Sequence, residues 1–176
     1  MKTQNNLFFV GKNKRKISKE IMQDCYSELE SNLLTFDFIT EKTLQKKLIR
    51  AYREACFVHV LTKVLHINYT DSHPLNEIQI ILYGSISEAI LGSIFKMNSV
   101  LSQYKTTDRI GRLTELGVIS TDLETDIRTL WDIRNNVHLH KTKTTNEKFF
   151  KKHLTNKKDI IADFCESIEA YINTQS

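Results

Sequence analysis

The sequence predicts an all-α fold. Three observations carry this. The 176 residues include one proline (Pro74) and five glycines. Apolar residues return every three or four positions over several long stretches. No segment sustains the alternation of a half-buried strand. The one β-like patch, LFFV at 7–10, is short.

The length suits one domain, read as a single helical unit over residues 1–176 with a basic arm at 1–16. A formal net charge of +4 allows an anionic partner without requiring one. The three cysteines, Cys25, Cys56 and Cys165, are far apart and odd in number. Each sits beside apolar residues, which predicts small buried hydrophobes in a reducing cytoplasm. No run reaches about 18 apolar residues, so no membrane span is expected.

The elements follow in order. ISKEIMQDCYSELESNLLTF, residues 17–36, spaces Ile17, Ile21, Cys25, Leu29 and Leu33 for a helix. A second helix is expected from Thr40 to Ile67, with Leu44, Leu48, Cys56, Val60 and Val64 on one face. Its charged N-terminal half should be the exposed one and its apolar C-terminal half the buried one. DSHP at 71–74 is a helix start. The third helix, 74–98, is the most apolar, and Gly84, Ser85, Ala89, Gly92 and Ser93 keep its surface thin. Gly inside a helix costs about 1 kcal/mol against Ala, so both glycines should have a packing reason. That makes this the central helix.

TTDRIGRLTELGVIS predicts a short helix closed by Gly117 in a left-handed cap. The next helix begins at Ser120 and Thr121, with Thr121 and Glu124 at capping-box spacing. A lysine-rich connection occupies 141–157. The last helix, 157–172, points Ile160, Ile161, Phe164, Ile168 and Ile172 inward.

The chemistry concentrates in LWDIRNNVHLHK, residues 130–141. The inward face of that helix runs Leu123, Ile127, Leu130, and the next position on the line is Arg134, then His138. An arginine beside a core needs a partner, because an unpaired buried charge is costly. Asn135 and Asn136 follow, poor helix formers that can bend or fray the helix here. In an unbroken helix His140 would point away from Arg134, while His138 lies one turn above it. Two readings stand side by side. One is a helix end with cations placed favourably near its C-terminus. The other is a site with a guanidinium for an anion, an amide to orient and an imidazole to exchange protons.

RNNVHLH resembles the signature of the HEPN superfamily (higher eukaryotes and prokaryotes nucleotide-binding). That signature is an Arg, a polar residue, and a His after four to six intervening residues. Arg134, Asn135 and His140 match it. GSISEAIL, with its small residues and Glu88, resembles the helix before the signature helix in such domains. LTELGVISTDLETDIRTLWDIRNNVHLH resembles their short helix, turn and motif helix. The resemblance covers residues 75 to 141; the earlier helices match in being helical.

The resemblance implies an up-and-down bundle of about five main helices, forming a homodimer. It further implies a metal-independent endoribonuclease site where two subunits face each other, with RNA as substrate, no cofactor and no metal. Arg134 would be the phosphate ligand, His140 the acid/base and Asn135 the orienting group. His138 would be the working histidine or a support, and Asn136 a support. A toxin or defence effector is the expected role. A toxin subclass restrained by an antitoxin nucleotidyltransferase carries a tyrosine two residues after its histidine; here that position is Thr142. The protein partner, an antitoxin or another chain, therefore stays open. Many superfamily members have lost activity, so the alternative is a non-catalytic module binding nucleotide, nucleic acid or a partner protein. A helical structural protein without a ligand is the third reading.

Glu88 stands on the line Ile81, Ser85, Glu88, Gly92 of a very apolar helix. It either pairs with Arg134, fixes the neighbouring histidine, or lies on a solvated edge. Lys141, Lys143, Lys148, Lys151 and Lys152 follow the motif, with Phe149 and Phe150 among them. They suit an RNA backbone and base stacking, or equally a solvated face with the rings turned inward. The His-x-His of HLHK has no carboxylate or cysteine set beside it to complete a metal site.

Overall fold

The computed structural model describes Gln23, Ser27 and residues 34–64, 73–97, 106–136 and 157–175. Among these residues the fold is all-α. It has five main helices: α1 (Lys42–Val64), α2 (His73–Met97), α3 (Thr106–Glu115), α4 (Thr121–Asn136) and α5 (Lys157–Gln175). The basic arm, LFFV, Cys25, His138, His140, Thr142 and the lysines and phenylalanines of the 141–156 connection lie outside the described residues. So does most of the helix expected over 17–36. Its expected end is corrected, because Leu34–Phe36 is not helical and leads into a turn at Asp37–Phe38.

That turn is fastened to α1 by Gln45. Its side-chain amide donates to the Thr35 carbonyl at 3.1 Å and to Asp37 Oδ1 at 2.9 Å. The amide is nearly fully buried, so these bonds offset a desolvation cost of about 1–3 kcal/mol. Phe36 takes a left-handed backbone, φ 53°, which a bulky residue adopts only when packing holds it there. Its ring is held edge-on by Phe38 and Tyr52, with centroids 6.3 and 6.1 Å away.

α1 lays Leu48, Tyr52, Ala55, Cys56 and Val60 against the core. Tyr52 meets Tyr83 edge-on at 6.1 Å, and the Gln79 amide donates to the Ala55 carbonyl at 3.1 Å. Residue numbers rise along α1 as they fall along α2, so the two helices are antiparallel. The C-terminal half of α1 is less enclosed than its apolarity predicts. Phe57 is 45% exposed, because α2 covers one side of α1 and leaves the other outward.

α2 is the central helix, in contact with all four others. It is also long and apolar enough between Leu75 and Met97 to cross a membrane by length and composition. Most of that stretch is buried inside the fold. The Arg109 guanidinium lies over the Phe95 ring at 5.3 Å. A Cβ built on Gly111 would meet Arg128 Nη2 at 2.9 Å, and one on Gly84 would meet Arg134 Cβ at 3.1 Å. These contacts set α4 close against both α3 and α2.

α3 closes as its sequence predicts. Gly117 has φ +69°, the Val118 amide donates to Leu113 O and the Gly117 amide to Thr114 O, both at 2.9 Å. This is the Schellman arrangement. At the start of α4 the cap is Ser120, whose Oγ accepts from the Leu123 amide at 3.1 Å. The expected Thr121–Glu124 box is thereby corrected by one residue. Glu124 instead accepts from Arg128 Nε at 2.8 Å. α5 buries Ile160, Ile161, Phe164, Cys165 and Ile168, with Ile172 packed at the edge.

Candidate functional site

The site is built where the end of α4 crosses α2. Ile127, Leu130 and Ile133 are buried to 3% exposure or less. Burying each such side chain contributes about 1.5–3 kcal/mol, which fixes the rotation of α4. That rotation leaves Arg134, one turn after Leu130, at the margin of the core rather than in it.

Gly84 makes the crossing close. A Cβ there would stand 3.1 Å from Arg134 Cβ, 3.3 Å from the Leu130 carbonyl oxygen and 3.4 Å from Arg134 Cγ. The arginine stem therefore lies directly on the α2 backbone. Arginine side chains lean toward the N-terminus of their own helix. One turn beyond Gly84 on α2 stands Glu88. Arg134 Nη1 reaches Glu88 Oε2 at 2.7 Å, with side-chain exposures of 28% and 38%. The same nitrogen donates to Asn135 Oδ1 at 3.5 Å, a long and weaker bond.

The structure thus brings together three of the residues singled out from sequence: Arg134, Asn135 and Glu88. Of the alternatives for Glu88, the pairing with Arg134 is the one found. α4 continues unbroken through Asn135 to Asn136, so the asparagines do not break the helix before that point. His138 and His140 follow directly in the chain, outside the described residues, as do Lys141, Lys143, Lys148, Lys151 and Lys152. Gly92, expected to share a packing role with Gly84, has nothing within 4 Å of its built Cβ.

Gly84 is the element sequence reasoning did not single out as a seat. Its signal was present as one of two glycines in a greasy helix, but which of them faces α4 depends on helix rotation. Among the described residues no group of three or more His, Cys, Asp or Glu side chains could hold a metal ion. An open groove lies between the turn Leu116–Val118 and the second half of α5, lined also by Glu166 and Tyr171. It sits by the start of α4, at the other end from Arg134. The Arg134–Glu88 centre can hold a guanidinium in one position at a half-shielded surface, which is what an anion site needs.

Comparison with protein-family models, with curated proteins and with solved structures gives no match for this chain.

Proposed function

We propose that the chain is a metal-independent endoribonuclease of the HEPN kind, with Arg134 as the group that binds the scissile phosphate. The observation that supports this reading is the Arg134–Glu88 ion pair seated on Gly84. A guanidinium so placed gives up little freedom when it meets a phosphate. It carries five N–H donors in a fixed fork, and both contacts seen here go through Nη1.

The reaction needs no metal or cofactor. The ribose 2′-oxygen attacks the adjacent phosphorus as its proton passes to a base, and the bond from phosphorus to the 5′-oxygen breaks. The leaving oxygen takes a proton, giving a 2′,3′-cyclic phosphate and a 5′-hydroxyl. Negative charge grows on the phosphoryl oxygens, where Arg134 stabilises it. His140, or His138 in its place, moves the protons. Asn135 orients the guanidinium or the substrate, with Asn136 in support. In this reading two subunits contribute to one cleft, and the biological role is that of a toxin or defence effector.

The test is incubation of the protein with RNA in EDTA. Cleavage by the wild type that disappears in Arg134→Ala and His140→Ala is expected. Cleavage that persists in both variants identifies a contaminant and removes the reading.

A further inference from the structure

Charge is distributed unevenly over the described helices. α1 carries six Lys and Arg against one Glu. α2 has two Glu and one Lys, α3 is balanced, and α4 and α5 each carry four acids against two cations. The positive excess of the described helices therefore lies on α1 alone. Four of these six cations lie on one side of α1. At 100° per residue, Lys42, Lys46, Arg50, Arg53 and Phe57 fall within an arc of about 80°. That arc is opposite the face formed by Leu48, Tyr52 and Ala55, which packs on α2.

All five side chains on this arc are exposed, Phe57 to 45%. The row spans about 22 Å. The one carboxylate within α1, Glu54, pairs with Arg50 at 2.8 Å in open solvent. A fully exposed pair of this kind is screened by water and salt and contributes little, so a polyanion can displace it. The aromatic ring at the end of the row discriminates among anionic partners. An amphipathic helix that binds a membrane offers a broad apolar face, but the apolar face of α1 is used by α2. A row of cations ending in one exposed ring matches a backbone of phosphates with a base free to stack.

We propose that the outward face of α1, formed by Lys46, Arg50, Arg53 and Phe57, binds single-stranded nucleic acid. The cations contact successive phosphates and Phe57 stacks on a base. The binding is sequence-tolerant and salt-dependent, since neither contact reads a base edge. It does not depend on the cleavage reading, because Arg134 lies on α4 and the basic row on α1.

The experiment is fluorescence anisotropy with a labelled 2′-O-methyl oligoribonucleotide, which lacks the 2′-hydroxyl nucleophile and so separates binding from cleavage. The triple variant Lys46→Gln, Arg50→Gln, Arg53→Gln should lower the slope of log affinity against log salt by about 2, at about 0.7 per phosphate contact. Phe57→Ala should weaken binding about five- to 150-fold. Glu54→Gln, which removes no packing, should tighten it about twofold. An unchanged salt slope in the triple variant overturns the proposal, as does weaker binding by Glu54→Gln. Equal affinity of the same face for polyglutamate or for phosphatidylserine vesicles also overturns it.

Discussion

Arg134 and Glu88 join α4 to α2 at 2.7 Å, one turn along α2 from the glycine that carries the arginine stem. Both are partly exposed, so the pair adds about 0–1 kcal/mol to stability. Its consequence is positional. Glu88→Gln should leave the melting temperature within about 2–4 °C of wild type while lowering RNA cleavage. Unchanged stability together with unchanged cleavage would remove Glu88 from the account.

The two glycines of α2 should respond in opposite directions to alanine. Gly92→Ala fills open space and gains helix propensity, about 1 kcal/mol, which raises the melting temperature by about 2–4 °C. Gly84→Ala gains the same propensity but meets the Leu130 carbonyl and the Arg134 stem. It should lower the melting temperature and reduce cleavage, because the arginine is lifted off its seat. Equal stabilisation by both substitutions would contradict the close crossing.

The cap of α4 is tested by neighbouring residues. Ser120→Ala removes the acceptor for the Leu123 amide and should cost about 1 kcal/mol in denaturant unfolding. Thr121→Ala, already inside the helix, should cost less. The reverse order would restore the Thr121 cap that sequence spacing predicts.

The buried thiols should be inert. Burial, with the Glu169 charge adding to it, pushes the Cys165 thiol up to about 12, and Cys56 is also buried and forms no disulfide. At pH 8 the Cys165 thiolate is then about one part in 10,000. In a Cys25→Ser background, Ellman's reagent should find no fast-reacting thiol in the native protein and two after unfolding. A rapid reaction in the native state would contradict this packing.

Much of the fold was legible in the sequence because it rests on local signals. The αL glycine at 117, the inward stripe of α5 and the central place of α2 all follow from composition and period. The place of Arg134 beside the core followed from the same period, and Glu88 from the need of that charge for a partner. What escaped depended on rotation and register. Gly84 and Gly92 are equivalent as residues, yet one meets a neighbouring helix and the other open space. Ser120 and Thr121 both cap well, and one residue of register decides between them. Phe57 belongs to an apolar segment, but α2 covers the other side of α1.

The most direct measurement is the single-turnover rate of RNA cleavage in EDTA for the wild type, Arg134→Lys and Arg134→Ala. A lysine keeps the charge but loses the planar fork, and loss of one preorganised donor of this kind costs about 100- to 1,000-fold. The account predicts that the wild type cleaves and that both variants fall by at least about 100-fold. Cleavage by Arg134→Ala at the wild-type rate, or no cleavage by the wild type, would contradict it.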